Sequence, residues 1–301
     1  MHAWESIQST LEYIEEHIGE EISIDMLSEI ASLSPFYFQR LFSKLVKKPV
    51  REYIKLRRLS RAEEKLKNKD YRILDIALEC GFNSHETFTR AFKEAYSMTP
   101  EQYRKEPVML NQFNKPDLLL NYTMVDEGVP LISDGIVLEI NWKTLKEPVT
   151  FMGFSGHVPM NIQLPVGETT GIDVPGEIWT RFHLEKHAID KIPEGRSLGV
   201  AYGGDAPEGH FTYFVGVEVM PDSKNELFQI WELPAREYVV CGFEAVNFDE
   251  LTRVALYKAT GYCGEWMRRR RLMTEPFWPE IYFDDSPEGT YMELWFPANR
   301  A

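Results

Sequence analysis

The stretch RILDIALECGFNSHETFTRAFKEAYSMTPEQYRK, residues 72–105, reads as two short helices around a tight turn. Residues 73–80 suit a short amphipathic helix, Gly81-Phe82 turns the chain, and Ser84 stands where an N-cap opens the next helix. The apolar side of that second helix is Phe88, Ala91, Phe92 and Ala95 at helical spacing. Fifty residues earlier the same grammar occurs. The offset pairs Leu27 with Ala77, Glu29 with Glu79, Ser34 with Ser84, Phe38 with Phe88, Arg40 with Arg90 and Phe42 with Phe92. This is a helix-turn-helix read twice.

Apolar spacing shows only that helices pack, and a plain helical bundle would share it. The face left over is more telling. Beside its core stripe the first copy presents Phe36, Gln39 and Arg40, and the second presents His85, Glu86, Thr89 and Arg90. Arg and Gln can pair bidentately with guanine and adenine. Between the copies, residues 50–67 (VREYIKLRRLSRAEEKLK) read as one basic helix. At ~1.5 Å per residue it spans ~27 Å, enough to hold two reading helices about one DNA turn apart. Arg57 and Arg58 on this stripe are expected to meet phosphates.

The charge is divided between the halves. The chain of 301 residues carries a net −14, but residues 1–106 hold 17 Lys/Arg against 18 Asp/Glu. Residues 34–72 hold 13 bases against 4 acids, and residues 107–301 hold 16 against 29. One half suits an anion and the other a cationic or neutral partner. No stretch approaches the ~20 apolar residues of a membrane span, so no membrane association is expected. The first residues do not read as a signal peptide. Three scattered cysteines (Cys80, Cys241, Cys263) argue against a disulfide framework and fit a cytoplasmic location.

Residues 72–105 strongly resemble the second half of the AraC/XylS family DNA-binding domain, and the likeness covers about residues 5–105. It rests on Gly81-Phe82, the Phe88/Phe92 spacing and the closing Pro100, Tyr103 and Arg104. The resemblance implies an all-α double helix-turn-helix domain over 1–106 that binds two adjacent major grooves of double-stranded DNA. It puts the contacts on Phe36, Gln39, Arg40, His85, Glu86, Thr89 and Arg90, with RNA polymerase as a further partner. Glu86 can only accept from cytosine or repel phosphate, so it would exclude sequences rather than add affinity.

After Glu106 the pattern changes to strands rich in Val, Tyr and Phe, broken by two helical segments at 177–189 and about 249–273. An offset of 80 pairs Asp205-Ala-Pro-Glu-Gly209 with Asp285-Ser-Pro-Glu-Gly289, and Tyr202 with Tyr282. Each copy is strand, helix, hairpin, which makes an α+β body with two pseudo-repeats. Residues 136–297 resemble the GyrI-like (Rob/BmrR-type) effector-binding domain, on YFVGVEV (213–219), LPAREYV (233–239), and EIYF (280–283) followed by ELWFP (293–297). The resulting division is a reader over 1–106, a linker over 107–135 and an effector domain over 136–301. Leu118, Leu119, Leu120 and Tyr122 make the linker too apolar for a free tether, so it is expected to pack on the effector domain.

Side chains two apart on a strand share a face. Glu280 with Tyr282, and Tyr291, Glu293 and Trp295 on the next strand, therefore read as two carboxylates in an aromatic set. Aromatic faces attract organic cations, and a partly buried carboxylate supplies the counter-charge. The resemblance makes these five residues, with Tyr202 and Tyr213 from the other repeat, the candidate ligand site of a multidrug-type sensor. The bland alternative places Tyr291 and Trp295 in the core and the glutamates in water. The expected function is a DNA-binding transcriptional regulator controlled by an aromatic or lipophilic small molecule, cationic or neutral. It needs no cofactor and no metal, and is not an enzyme. A GyrI-like hydrolase, or a C-terminal domain that binds a protein, are the alternatives. His183 and His187, four apart, and the run 268–271 of four arginines read as solvated faces before anything else.

Overall fold

The structure, a computed structural model, describes residues 2–298; Met1 and residues 299–301, at the ends of the expected domains, lie outside the described residues. It divides into two compact units. One holds the chain up to Tyr122 together with Gly167–Ile172, and the other holds Thr123–Val166 and the described residues from Asp173 onward. No helix among the described residues is long and apolar enough to cross a membrane.

The first unit is helical: α1 (Ala3–Glu16), α2 (Ile24–Ile30), α3 (Pro35–Val46), α4 (Val50–Leu66), α5 (Ile73–Glu79), α6 (His85–Tyr96), α7 (Pro100–Lys105) and α8 (Leu118–Tyr122). Ser23, Ser34, Ser84 and Thr99 cap α2, α3, α6 and α7 by accepting the N–H three residues on. The repeat is visible atom by atom. After α2, Ser32 (φ 55°) and the bond from Leu33 N to Ser28 O close the turn. After α5, Gly81 (φ 79°) and the bond from Phe82 N to Ala77 O do the same. These turns are 49 residues apart, whereas α3 and α6 are 50 apart. Asn83 is the inserted residue, so the expected pairing of Leu27 with Ala77 slips by one and Leu27 answers to Ile76.

Each helix-turn-helix has its own buried cluster. Ile7, Leu11, Leu27, Phe38, Phe42 and Tyr53 belong to the first, and Leu59, Ile76, Phe88, Phe92 and Tyr103 to the second. The basic stripe on α4 is partly consumed inside the fold. Arg57 forks onto Glu15 with two bonds of 2.9 Å and donates to Phe113 O. Arg58 donates to the carbonyls of Ile18, Glu20 and Gly81. The expectation that these two arginines meet phosphates is therefore corrected: their guanidiniums saturate carboxylate and backbone acceptors of their own unit.

The linker also departs from expectation. Its first part, through Tyr122, packs on the helical unit rather than the effector domain. Phe113 and Leu118 lie in the first cluster and Leu110 in the second, Gln8 accepts from Leu118 N, and Tyr122 stacks on Trp4. The helix-turn-helix cores leave an apolar seam along α1 and α4 that these side chains fill. Only residues after Tyr122 belong to the second unit.

The second unit is built on nine described strands: β1 (Leu131–Ser133), β2 (Ile136–Thr144), β3 (Val149–Pro159), β4 (Ser197–Tyr202), β5 (His210–Val219), β6 (Gln229–Leu233), β7 (Glu237–Glu244), β8 (Phe277–Tyr282) and β9 (Tyr291–Pro297). The order across the antiparallel sheet is β1-β2-β7-β9-β8-β4-β5-β3-β6. Helix α9 (Val174–Glu185) and helix α10 (Leu256–Arg269) complete two copies of strand, helix, hairpin, β3-α9-β4-β5 and β7-α10-β8-β9. The copies meet at β4 and β8. Their hairpins share one register: Ala201 faces Tyr213, and Ile281 faces Glu293, 80 residues later in both strands.

The register also sorts side chains by face. Glu280 lies opposite Gly199, Val215 and Phe154 in one direction and opposite Leu294, Cys241 and Ile140 in the other. On this face α9 packs Ile178, Trp179 and Phe182 against Phe154, Tyr213 and Val215. Cys263 of α10 reaches Cys241 on the same face. The opposite face is a second buried cluster of Phe151, Leu198, Val200, Phe214, Tyr238, Val240, Ile281 and Trp295. Packing on both faces accounts for the almost unbroken apolar run HFTYFVGVEV of β5.

Candidate functional site

In the first reading helix, α3, the Ser34 cap and Pro35 at the first position start the helix so that Phe38 and Phe42 turn inward. Phe36, Gln39 and Arg40 are left outside. Phe36 is 77% exposed, unusual for a phenylalanine, and Tyr37 beside it, which the sequence reading missed, is exposed as well. In α6 a capping box between Ser84 and Thr87 does the same work. Glu86 and Arg90 stand outside, whereas His85 and Thr89 are half-buried. His85 is bonded to Glu101 of α7 at 2.8 Å. The Ser84 hydroxyl and the N–H of Glu86 itself hold the Glu86 carboxyl below its ordinary range.

The seven candidate ligand residues do not form one set. Ile281, not Glu280, faces Glu293, so the two carboxylates point to opposite faces of the sheet. Glu280, Tyr282 and Tyr213 share the helix-covered face; Glu293, Tyr291, Trp295 and Tyr202 share the other. The spacing rule within each strand holds, but the register between strands is invisible to it.

Glu293 is closed off. It is 3% exposed and accepts from Lys143 Nζ at 2.6 Å, Tyr291 Oη at 2.7 Å and Trp295 Nε1 at 2.8 Å. A carboxylate so supplied has little left to offer a ligand. Trp295 packs against Tyr238, and Tyr202 against Trp231.

Glu280 is differently placed. Tyr213 donates to it at 2.7 Å and Tyr282 at 3.0 Å, and Trp179 Nε1 donates to the Tyr213 oxygen at 3.2 Å. Among the described residues no basic side chain pairs with it. Burial pushes its carboxyl above the ordinary range, against the pull of the two tyrosines, and the charge of Asp173 adds to the rise. Burial first, and then the charge of Glu280, push both tyrosine hydroxyls well up, so they remain donors. Gly199 opposite makes room: a Cβ there would collide with the Tyr213 hydroxyl. Around the cluster, Trp179 meets Tyr282 edge-on at 4.8 Å, Phe248 lies 6.1 Å from Tyr282, and His183 stacks on Trp179. Trp179 and Phe248 escaped the sequence reading. The first could have been found from the aromatic spacing Trp179, Phe182, His183 within the helical segment that interrupts the strands.

The arginine run closes α10 and pairs with side chains of the same helix, its first member 72% exposed, as expected of a solvated face. Arg268 and Arg269 bond Glu265 and pull its carboxyl down to about 2, and Arg270 stacks on Trp266 at 3.8 Å.

Comparison with known proteins agrees with both halves. Residues 27–106 match the family model of a helix-turn-helix domain. Residues 139–299, more than half of the chain, match that of the GyrI-like small molecule binding domain. The chain is 44% identical over 104 residues to the uncharacterized HTH-type transcriptional regulator YbfP of Bacillus subtilis, covering 35% of each chain. It is 37% identical over 98 residues to the regulatory protein SoxS of Salmonella typhimurium, 33% of this chain and 92% of that one. With the right origin-binding protein of Escherichia coli it shares 34% over 129 residues, 42% of this chain and 45% of that one. The chain thus spans about a third of YbfP, under half of the right origin-binding protein and nearly all of SoxS. It belongs to the AraC/XylS family of helix-turn-helix proteins, with a C-terminal domain of the GyrI-like small-molecule-binding family.

Proposed function

We propose that this chain is a one-component transcriptional regulator of the cytoplasm rather than an enzyme. Its two helix-turn-helix units read adjacent major grooves of duplex DNA through Phe36, Gln39, Arg40, Glu86 and Arg90, with His85 and Thr89 at the edge of the surface. A lipophilic cation bound at Glu280 sets the output to RNA polymerase. The observation that carries the reading is the Glu280 carboxylate, inside an aromatic cluster with two tyrosine donors and no basic partner among the described residues. A poorly solvated carboxylate gains most from a cation that brings its own apolar surface. Tyr282, Tyr213 and Trp179 supply the ring faces and edges. Glu293, Tyr291, Trp295 and Tyr202 have no part in this site.

The test is titration calorimetry with tetraphenylphosphonium as cationic probe and triphenylphosphine oxide as its neutral counterpart. Glu280→Gln keeps the shape and removes the charge, so it is expected to weaken the cation by about tenfold or more and to spare the neutral compound. Equal cation affinity in the two proteins contradicts the reading.

A further inference from the structure

Residues 167–172 belong to the helical unit although the chain on both sides belongs to the other. Leu110 pairs with Ile172 and Asn111 with Gly171 in a short antiparallel ladder, and Asn114 N–H donates to Gly167 O at 2.7 Å. The strand they join is itself held on α4, because Arg57 and Ser60 donate to Phe113 O and Gln112 donates to Glu63. The second reading helix, α6, packs beside the Gly171–Ile172 strand.

The next residue, Asp173, caps α9 by accepting the N–H of Gly176 at 3.1 Å. Helix α9 carries Trp179, which donates to Tyr213, which donates to Glu280. The path from the carboxylate to the ladder beside α6 is therefore continuous, with no slack residues between Ile172 and the start of α9. The short segment also depends on glycine, since Gly167 (φ 73°) and Gly171 (φ 137°) hold backbone conformations that L side chains rarely adopt.

We propose that Gly167–Ile172 is a coupling strap, through which occupancy of the Glu280 site and DNA binding by α6 bias each other. The inference rests on the functional reading above. A ligand that displaces Trp179 displaces the start of α9, and the ladder passes the movement to the side of α6. By linkage the influence is reciprocal, so DNA must also act on α9.

That reciprocity gives a test that needs no effector. Hydrogen exchange of the full chain is followed by mass spectrometry with and without sheared duplex DNA at low salt. DNA is expected to slow exchange in residues 174–185 about fivefold or more, besides protecting α6. Gly171→Val, strained at its positive φ, is expected to abolish the α9 response and leave the α6 protection in place. Gly167→Val strains the other end of the strap and repeats the test should the first variant melt early. An α9 response that is absent in the parent, or equal in parent and both variants, overturns the strap. Failure of DNA to protect α6 would overturn the DNA reading first and the strap with it.

Discussion

Glu280 and Arg57 are both charged side chains inside the fold, and they differ in their partners: two tyrosine hydroxyls for Glu280, the Glu15 carboxylate for Arg57. The Glu280 carboxyl is raised mainly by burial, so its folded form holds a proton at a pH where an ordinary glutamate, with a value near 4.3, does not. Protonation removes the counter-charge. Tetraphenylphosphonium binding is therefore expected to weaken on acidification, beginning above the ordinary glutamate range, and a calorimetric pH series that stays flat there would contradict the assignment. The sign for stability is opposite to that of a salt-bridged acid: the empty protein gains stability as pH falls through the raised value. Arg57 instead faces Glu15 across two bonds, with the side chains only 16% and 17% exposed. Burial raises the Glu15 carboxyl, but Arg57 and Tyr53 outweigh it and hold it below its ordinary range. Arg57→Ala strands that carboxylate and is expected to cost about 3 kcal/mol in urea unfolding. Base preference on a duplex should not change.

At the scale of elements, α3 and α6 are expected to divide the labour of specificity. Arg40→Ala and Arg90→Ala, each on an exposed outer face, should cost about 1–3 kcal/mol on a selected site and relax preference at the bases they meet. Competition gel shifts against a randomised duplex read this, and unchanged affinity with unchanged preference would remove both from the interface. These helices were legible because apolar spacing, N-caps and a repeat all point the same way. The first turn was less so: Asn83 lengthens the second copy by one residue, and a fixed offset of 50 cannot show it. The sheet was legible in content but not in register. The 80-residue repeat survives as Ala201 facing Tyr213 and Ile281 facing Glu293, yet nothing local to either strand says that Ile281 rather than Glu280 faces Glu293. A shift of one residue moves a side chain to the other face, and that shift separates the Glu280 cluster from the buried Glu293 one.

On the scale of the whole molecule, the chain does not divide where its composition does. Residues up to Tyr122 complete the helical cores, because Phe113 packs on Tyr53, 60 residues upstream, and Leu118 bonds Gln8, 110 residues upstream. Such long-range partners leave no periodic mark in the linker beyond its apolar content. The charge division is real, with nearly neutral residues 1–106 joined to a strongly acidic remainder, and the proposal couples a reader of DNA to a binder of cations. The most direct measurement of that claim is fluorescence anisotropy of a labelled duplex, selected from a random pool by the parent, titrated with the full chain with and without saturating tetraphenylphosphonium. The cation is expected to change the DNA affinity of the parent about fivefold or more, and to leave that of Glu280→Gln unchanged at the same concentration. A parent whose DNA affinity is identical with and without the cation, while calorimetry shows that cation bound through Glu280, would contradict the account.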